Sequence, residues 1–340
     1  MQMNSRLVNY VFYMALIANV AVGQAVRMTS FDFNQDPLLD GWRIYGQSEL
    51  FNWDSVNGRV NVTWDSRLPN SYFFYPIGYE LNRHDSFGVG IDFYLDEIVP
   101  GINPTKTAAP FEIAMGFIRV ADATGPGFLR GTGVNSPNLV EFDFFPDPGG
   151  EWIWGPSLTL IIFSTNSSHY SHGGFYPGEL VPGVRYRLEM VYDGSSGTLL
   201  GTLYTNGQLW VEIPVAYLPP TFTDFRVDAF AICSYSDEGQ WPGYEGSIYA
   251  RGWVDNVVLS VPPPPVQELA GQVRKVDGNR IWEVSFLSGT NWVYALERTG
   301  DFTNWEVVGE MVWGNGGRLT LVDTNPPIDR AFYRVVAHKP

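Results

Sequence analysis

The feature that most constrains this chain is a period-two alternation of apolar and polar residues. From Ser86 to Asp96, Phe87, Val89, Ile91, Phe93 and Leu95 fall on one face. Gly88, Gly90, Asp92, Tyr94 and Asp96 fall on the other. Alternation of this kind is the mark of a strand with one buried face. The pattern recurs from Val184 to Tyr192, at Val60, Val62 and Trp64, and at Phe111, Ile113, Met115 and Phe117. Further strands are predicted near residues 139–145, 157–164, 198–205, 208–213, 225–235 and 248–259. Asn206-Gly207 between two apolar runs predicts a tight hairpin. No stretch carries the 3.6-residue period of an amphipathic helix. Ten or more such strands, each with one wet face, predict an all-β, two-sheet jelly-roll sandwich.

Four consecutive prolines, Pro262 to Pro265, cannot continue a ladder and favour a stiff extended linker. They divide the chain. Residues 1–25 read as a signal peptide, with Arg6 ahead of an apolar run and small residues at Ala21, Gly23 and Ala25. Residues 26–261 form the predicted large sandwich, 262–266 the linker, and 267–340 a smaller sandwich. Strands are expected there near 267–275, 280–287, 292–298, 304–309, 317–322 and 331–337. Six or seven short strands suggest an immunoglobulin-like or fibronectin-like fold. The reading places the protein outside the cell, secreted or on the surface. No later segment is apolar enough to span a bilayer. The formal charge of -15 argues against nucleic acid as a partner. The single cysteine, Cys233, excludes an internal disulfide and reads as a core residue.

Three stretches resemble the concanavalin A-like lectin and glucanase superfamily, which includes laminin-G-like domains. They are Phe31-Asp-Phe33 with Asp40-Gly-Trp42, Val140-Glu-Phe-Asp-Phe144, and Trp253-Val-Asp-Asn-Val-Val-Leu259. The resemblance implies a jelly roll over about residues 30–260 that binds polysaccharide or glycan. Tyr294-Ala-Leu-Glu-Arg-Thr-Gly-Asp-Phe-Thr-Asn-Trp305 resembles a C-terminal module of exported bacterial proteins, and implies a spacer or attachment role.

Glu141 and Asp143 are two apart on a predicted strand, so they share a face. Their carboxylates would sit roughly 6.5–7 Å apart, between the separations used by retaining and inverting glycosidases. Laminarinase-type enzymes of the superfamily carry Glu-x-Asp on the concave sheet, flanked by a second glutamate. Here Phe145 and Pro146 stand where that glutamate would fall. A hydrolase would need another carboxylate, such as Asp92 or Asp228. The alternative is solvated carboxylates on a polar face. Glu141-Phe-Asp143 with Asp147-Pro148 also resembles the cation loop of legume lectins, without the downstream Asn and His.

Loop aromatics are the stronger pointer to a ligand. Trp152, Trp154, Tyr170, Phe175 and Tyr176 lie in or beside long loops, as do Trp241 and Tyr244. Flat rings suit the apolar faces of sugars. The predicted ligand-binding set is Glu141, Asp143, Trp152, Trp154, Tyr176, Trp241 and Tyr244. Structural calcium is a candidate cofactor, at a site joining Asp32 to Asp255. His169 and His172 lack a further zinc ligand nearby and read as ordinary loop residues. The expected function is a secreted, non-catalytic carbohydrate-binding protein. A glucanase-type hydrolase or lyase, or an adhesive surface protein, are the alternatives.

Overall fold

The structure, a computed structural model, describes residues 26–105, 111–130, 135–147, 155–167, 169–239 and 247–340. Contacts divide the chain into two units, one ending at Pro262 and the other beginning at Pro263. The strands of the larger unit are β1 (Arg27–Phe31), β2 (Arg43–Tyr45), β3 (Phe51–Asp54), β4 (Arg59–Asp65), β5 (Ser71–Asn82), β6 (Phe87–Pro100), β7 (Ile113–Ile118) and β8 (Leu139–Phe145), followed by β9 (Ser157–Phe163), β10 (Tyr170–His172), β11 (Tyr176–Pro177), β12 (Arg185–Asp193), β13 (Thr198–Thr205), β14 (Gln208–Tyr217), β15 (Arg226–Ser234) and β16 (Ile248–Val261). They form two antiparallel sheets. One has the order β14-β13-β12-β6-β16-β4-β3, with β1 also on β16. The other has the order β10-β9-β8-β7-β15-β5-β2, with β11 also on β9. The fold is thus a two-sheet jelly-roll sandwich in which the first and last strands pair, Arg27 opposite Val261.

The alternating residues of β6 enter the core as their spacing predicts, with Phe87, Val89, Ile91, Phe93 and Leu95 all buried. Rings join the sheets: Phe87 meets Phe117 edge-on at 4.7 Å, and Phe93 lies 6.4 Å from Phe142. Trp42 of the Asp-Gly-Trp motif is a core residue, stacked on Phe73 at 4.4 Å. Asn206 and Gly207 both take positive φ, 53° and 75°, the conformation of the tight hairpin joining β13 to β14. Cys233 is buried and free.

One expectation needs correcting. The central strands of the second sheet do not have a wet face. β7, β8 and β9 are buried along both faces, apart from half-buried Phe145. The chain after β7 makes a single helical turn, Val120–Ala123, and then folds back over that sheet. No helix among the described residues is long and apolar enough to cross a membrane.

The smaller unit contains β17 (Val266–Val276), β18 (Asn279–Ser288), β19 (Val293–Thr299), β20 (Glu306–Trp313), β21 (Arg318–Asp323) and β22 (Phe332–His338). Two three-stranded sheets result, β17-β18-β21 and β20-β19-β22. Phe286 and Tyr294 are both buried and meet at 4.9 Å, one ring from each sheet. Trp282 stacks on Tyr333 at 5.0 Å.

Removing an aromatic ring from between the large sheets leaves a cavity that strands cannot close. Phe142→Ala should therefore lower the stability of the larger unit by about 3–5 kcal/mol. Its denaturant midpoint checks this, and an unchanged midpoint would place Phe142 outside the core.

Candidate functional site

The site begins with β8. Val140, Phe142 and Phe144 point into the core, so Glu141 and Asp143 point outward on the second sheet, as period two requires. Beside them on β7 stand Gly116, opposite Glu141, and Ala114, opposite Asp143. A Cβ at Gly116 would come within 2.4 Å of the Glu141 side chain, so only glycine leaves Glu141 its place. Glu141 and Asp143 nevertheless meet no solvent. Both are fully buried, whereas an accessible polar face was expected. The chain that follows the helical turn covers them.

That covering segment is pinned at several points. Val120 N donates to Asp228 Oδ1 (2.9 Å), Tyr72 Oη to Ala123 O (3.0 Å), and Asn70 Nδ2 to Phe128 O (3.1 Å). The segment delivers Arg130, which is only 3% exposed, between the carboxylates. Arg130 Nε donates to Glu141 Oε1 (2.5 Å) and Nη2 to Asp143 Oδ2 (3.0 Å). Its Nη1 lies 3.5 Å from Glu112 Oε1. Tyr235 Oη donates to Glu141 Oε2 (2.8 Å). The guanidinium lies over the rings of Phe163 (5.1 Å) and Tyr235 (5.8 Å).

Three carboxyl groups therefore share one guanidinium in a dry place. Burial pushes Glu112 up to about 8, although Arg130 pulls it back. Burial and then the neighbouring Glu141 raise Asp143 well above the usual carboxylate range. Burial works against the charge on Arg130, but the surrounding carboxyls outweigh it and hold the guanidinium protonated. Glu112 Oε1 and Asp143 Oδ1 accept no hydrogen bond. Burial thus favours the protonated form of Glu112 and Asp143, against the pull of Arg130.

This arrangement cannot cleave a sugar. An acid or nucleophile must touch the glycosidic bond, and Glu141 and Asp143 are sealed. The further carboxylates considered for such a reaction are also elsewhere. Asp92 lies on the first sheet, paired with Arg185 (2.5 Å) and Arg187 (3.2 Å). Asp228 anchors the covering segment. Glu112, Arg130 and Tyr235 were not anticipated, because they lie away from the Glu-x-Asp spacing.

An accessible, aromatic part of this face lies at its β10 edge. On β10, Tyr170 pairs with Phe163 and His172 with Ile161, so both side chains share the outward face with Glu141. Rings follow one another from Phe163 to Tyr170 (5.6 Å), to His172 (5.7 Å, planes 16° apart), to Phe175 (5.4 Å), and to Phe145 (5.7 Å). Tyr170 is 54% exposed and Phe175 37%. The backbone under the row is fixed. Ser171 Oγ donates to Tyr217 O (2.5 Å), and Thr159 Oγ1 donates to Gly174 O (3.0 Å). A Cβ on Gly173 would lie 2.1 Å from Pro214 O, so no other residue fits there. His172 Nδ1 accepts from Gly174 N (3.1 Å), which leaves Nε2 as the N–H donor. Burial lowers its pKa and keeps the ring neutral at neutral pH.

Of the other expected site residues, Tyr176 is exposed on β11. It pairs with core-facing Leu158 and so has the opposite phase to the row. Trp152, Trp154, Trp241 and Tyr244 lie outside the described residues. Asp32 accepts two hydrogen bonds from Asn34, and Asp255 two from Asn256. Burial pushes Asp255 up to about 6. Asp32 lies near enough for its charge to add to that rise. Among the described residues, no group of three or more His, Cys, Asp or Glu side chains is placed to hold a metal ion.

No family model matches the chain, and no curated protein matches it. Among solved structures it is similar to the jelly rolls of legume lectins. Peanut lectin with a nine-residue peptide is 16% identical at a TM-score of 0.42, covering 71% of this chain and 100% of the lectin. The Lotus tetragonolobus seed lectin is 12% identical at a TM-score of 0.45, covering 70% and 100%. The carbohydrate recognition domain of Emp46p in its metal-free form is 11% identical at 0.34, covering 66% and 91%.

The cluster makes stability depend on pH in a definite direction. A buried carboxyl whose pKa is raised binds its proton more tightly folded than unfolded. Its contribution is full below the unfolded value of about 4.3 and is lost as pH rises towards the folded value. For Glu112 the window ends at about 8. Glu112→Gln keeps the neutral form at every pH. Its melting temperature should match the parent near pH 4 and exceed it increasingly as pH rises towards 8, the parent losing up to roughly 1.4 kcal/mol per pH unit, or about 2–4 °C for each kcal/mol. Parallel melting curves across this range would show that Glu112 holds no proton. Arg130→Ala strands the carboxyls and should cost about 3–5 kcal/mol at neutral pH, read from the denaturant midpoint.

Proposed function

We propose that this chain is an exported, non-catalytic carbohydrate-binding protein. The larger unit holds the glycan, and the smaller unit serves as an immunoglobulin- or fibronectin-like spacer. One observation carries the reading: an exposed row of aromatic rings on a rigid strand edge, beside carboxylates that are sealed from substrate. Pyranose rings have apolar C–H faces and polar rims. Exposed aromatic clusters on soluble domains mark places where such surfaces bind. The row also supplies directional groups, the Tyr170 hydroxyl and the Nε2–H of His172. Residues 1–25 act in this reading as the export signal, removed from the mature protein.

Tyr170→Ala combined with Phe175→Ala removes the two most exposed benzenoid rings of the row and leaves the core untouched. The parent should be captured by at least one polysaccharide in a broad pull-down panel, tested with calcium and with a chelator. The double variant should bind about tenfold more weakly, or not at all, with unchanged circular dichroism. Equal capture of both proteins would move the binding surface away from this row.

A further inference from the structure

This inference rests on the carbohydrate reading and narrows its ligand. We infer that the Tyr170–His172–Phe175–Phe145 row takes an uncharged, extended polysaccharide, held along its chain by ring contacts and hydroxyl hydrogen bonds.

Charge is the first argument. No lysine or arginine occurs anywhere in residues 131–184, the stretch that supplies β8, β9, β10 and β11. β14 meets β10 through the Ser171 hydroxyl, which donates to Tyr217 O, and it also lacks a cation. The guanidinium of Arg130, which reaches the row through Phe163, is buried and committed to Glu112, Glu141 and Asp143. The exposed ionisable groups nearby in sequence are carboxylates: Asp147 just after β8, Glu179 just after β11, and Glu212 on β14. A uronate or sulfated chain would meet repulsion here and no counter-charge. A polycationic chain would find carboxylates near the row but none within it, because the row consists of Tyr, His and Phe.

Shape is the second argument. The rings sit on a strand edge with Tyr170 half exposed, so they line an open track rather than a closed cavity. Neighbouring centroids are 5.4–5.7 Å apart over four residues. That spacing is comparable with one pyranose and its glycosidic oxygen. A monosaccharide would reach one or two of these rings, whereas an extended chain meets them in succession. Fixed backbone under the row favours a ligand that arrives already straight, because little ordering is then left for binding.

Affinity electrophoresis of the intact chain tests this. Native gels would contain hydroxyethylcellulose, glucomannan or xyloglucan as neutral chains, and alginate, polygalacturonate or chondroitin sulfate as anionic ones. The expected result is retardation by at least one neutral polymer, unchanged between low and high salt, and none by the anionic polymers. Tyr170→Ala and Phe175→Ala, each checked for a native melting curve, should each weaken retardation about threefold. Affinity for oligosaccharides of the retained polymer should rise with length up to about four sugars, one per ring of the row. Retardation only by anionic polymers, or retardation that fades with salt, overturns the neutral-ligand inference and leaves carbohydrate binding standing. Equal affinity for the monosaccharide overturns the extended-chain part in the same way. Failure of every polymer to retard the protein, together with an empty pull-down panel, overturns the carbohydrate reading itself.

Discussion

A carboxylate can be taken out of water only if something else satisfies its charge, and the outer face of the second sheet is organised around that requirement. Glu141 and Asp143 point away from the core, yet the segment after β7 closes over them. Arg130 makes the closure tolerable by donating to both. Without a guanidinium there, two acids and the nearby Glu112 would remain dry and unpaired, and the segment would be driven off the sheet. Gly116 is part of the same solution, because its missing side chain makes room for Glu141.

Filling the centre of the face decides which part of it stays open. The middle of the sheet is occupied by the protein's own chain, and the exposed row of rings lies at the β10 edge. Phe163 links the two regions. It lies under the Arg130 guanidinium and also packs, tilted, against Tyr170. The backbone beneath the rings is held by side-chain hydroxyls, Ser171 Oγ donating to Tyr217 O and Thr159 Oγ1 to Gly174 O. Glu141 and Asp143 are thereby kept from any molecule outside the protein.

Much of the strand framework was legible in the sequence. The strands expected near 139–145 and 198–205 coincide with β8 and β13, and the Asn-Gly hairpin takes the backbone its residues favour. β5 was not legible, because Tyr72, Phe73, Phe74 and Tyr75 place rings on both phases and erase the alternation. Burial on both faces has the same effect wherever a strand lies between a core and a covering segment. The shared face of Glu141 and Asp143 was correctly read, but their exposure was not. Tyr170 and Phe175 stood among the candidate loop aromatics, but nothing local distinguished them from rings that pack inward.

Local pattern fixed what is set by the backbone's own geometry: the two-residue period of strands, the stop imposed by four prolines, and the positive-φ turn at Asn206-Gly207. These depend on neighbours one or two residues away, so one dimension suffices. Tertiary structure alone decided that Arg130 reaches Glu112, Glu141 and Asp143, and that four rings from three separate strands and loops line one edge. Those outcomes depend on which segment crosses which face, a long-range matter of packing and desolvation that no spacing along the chain encodes.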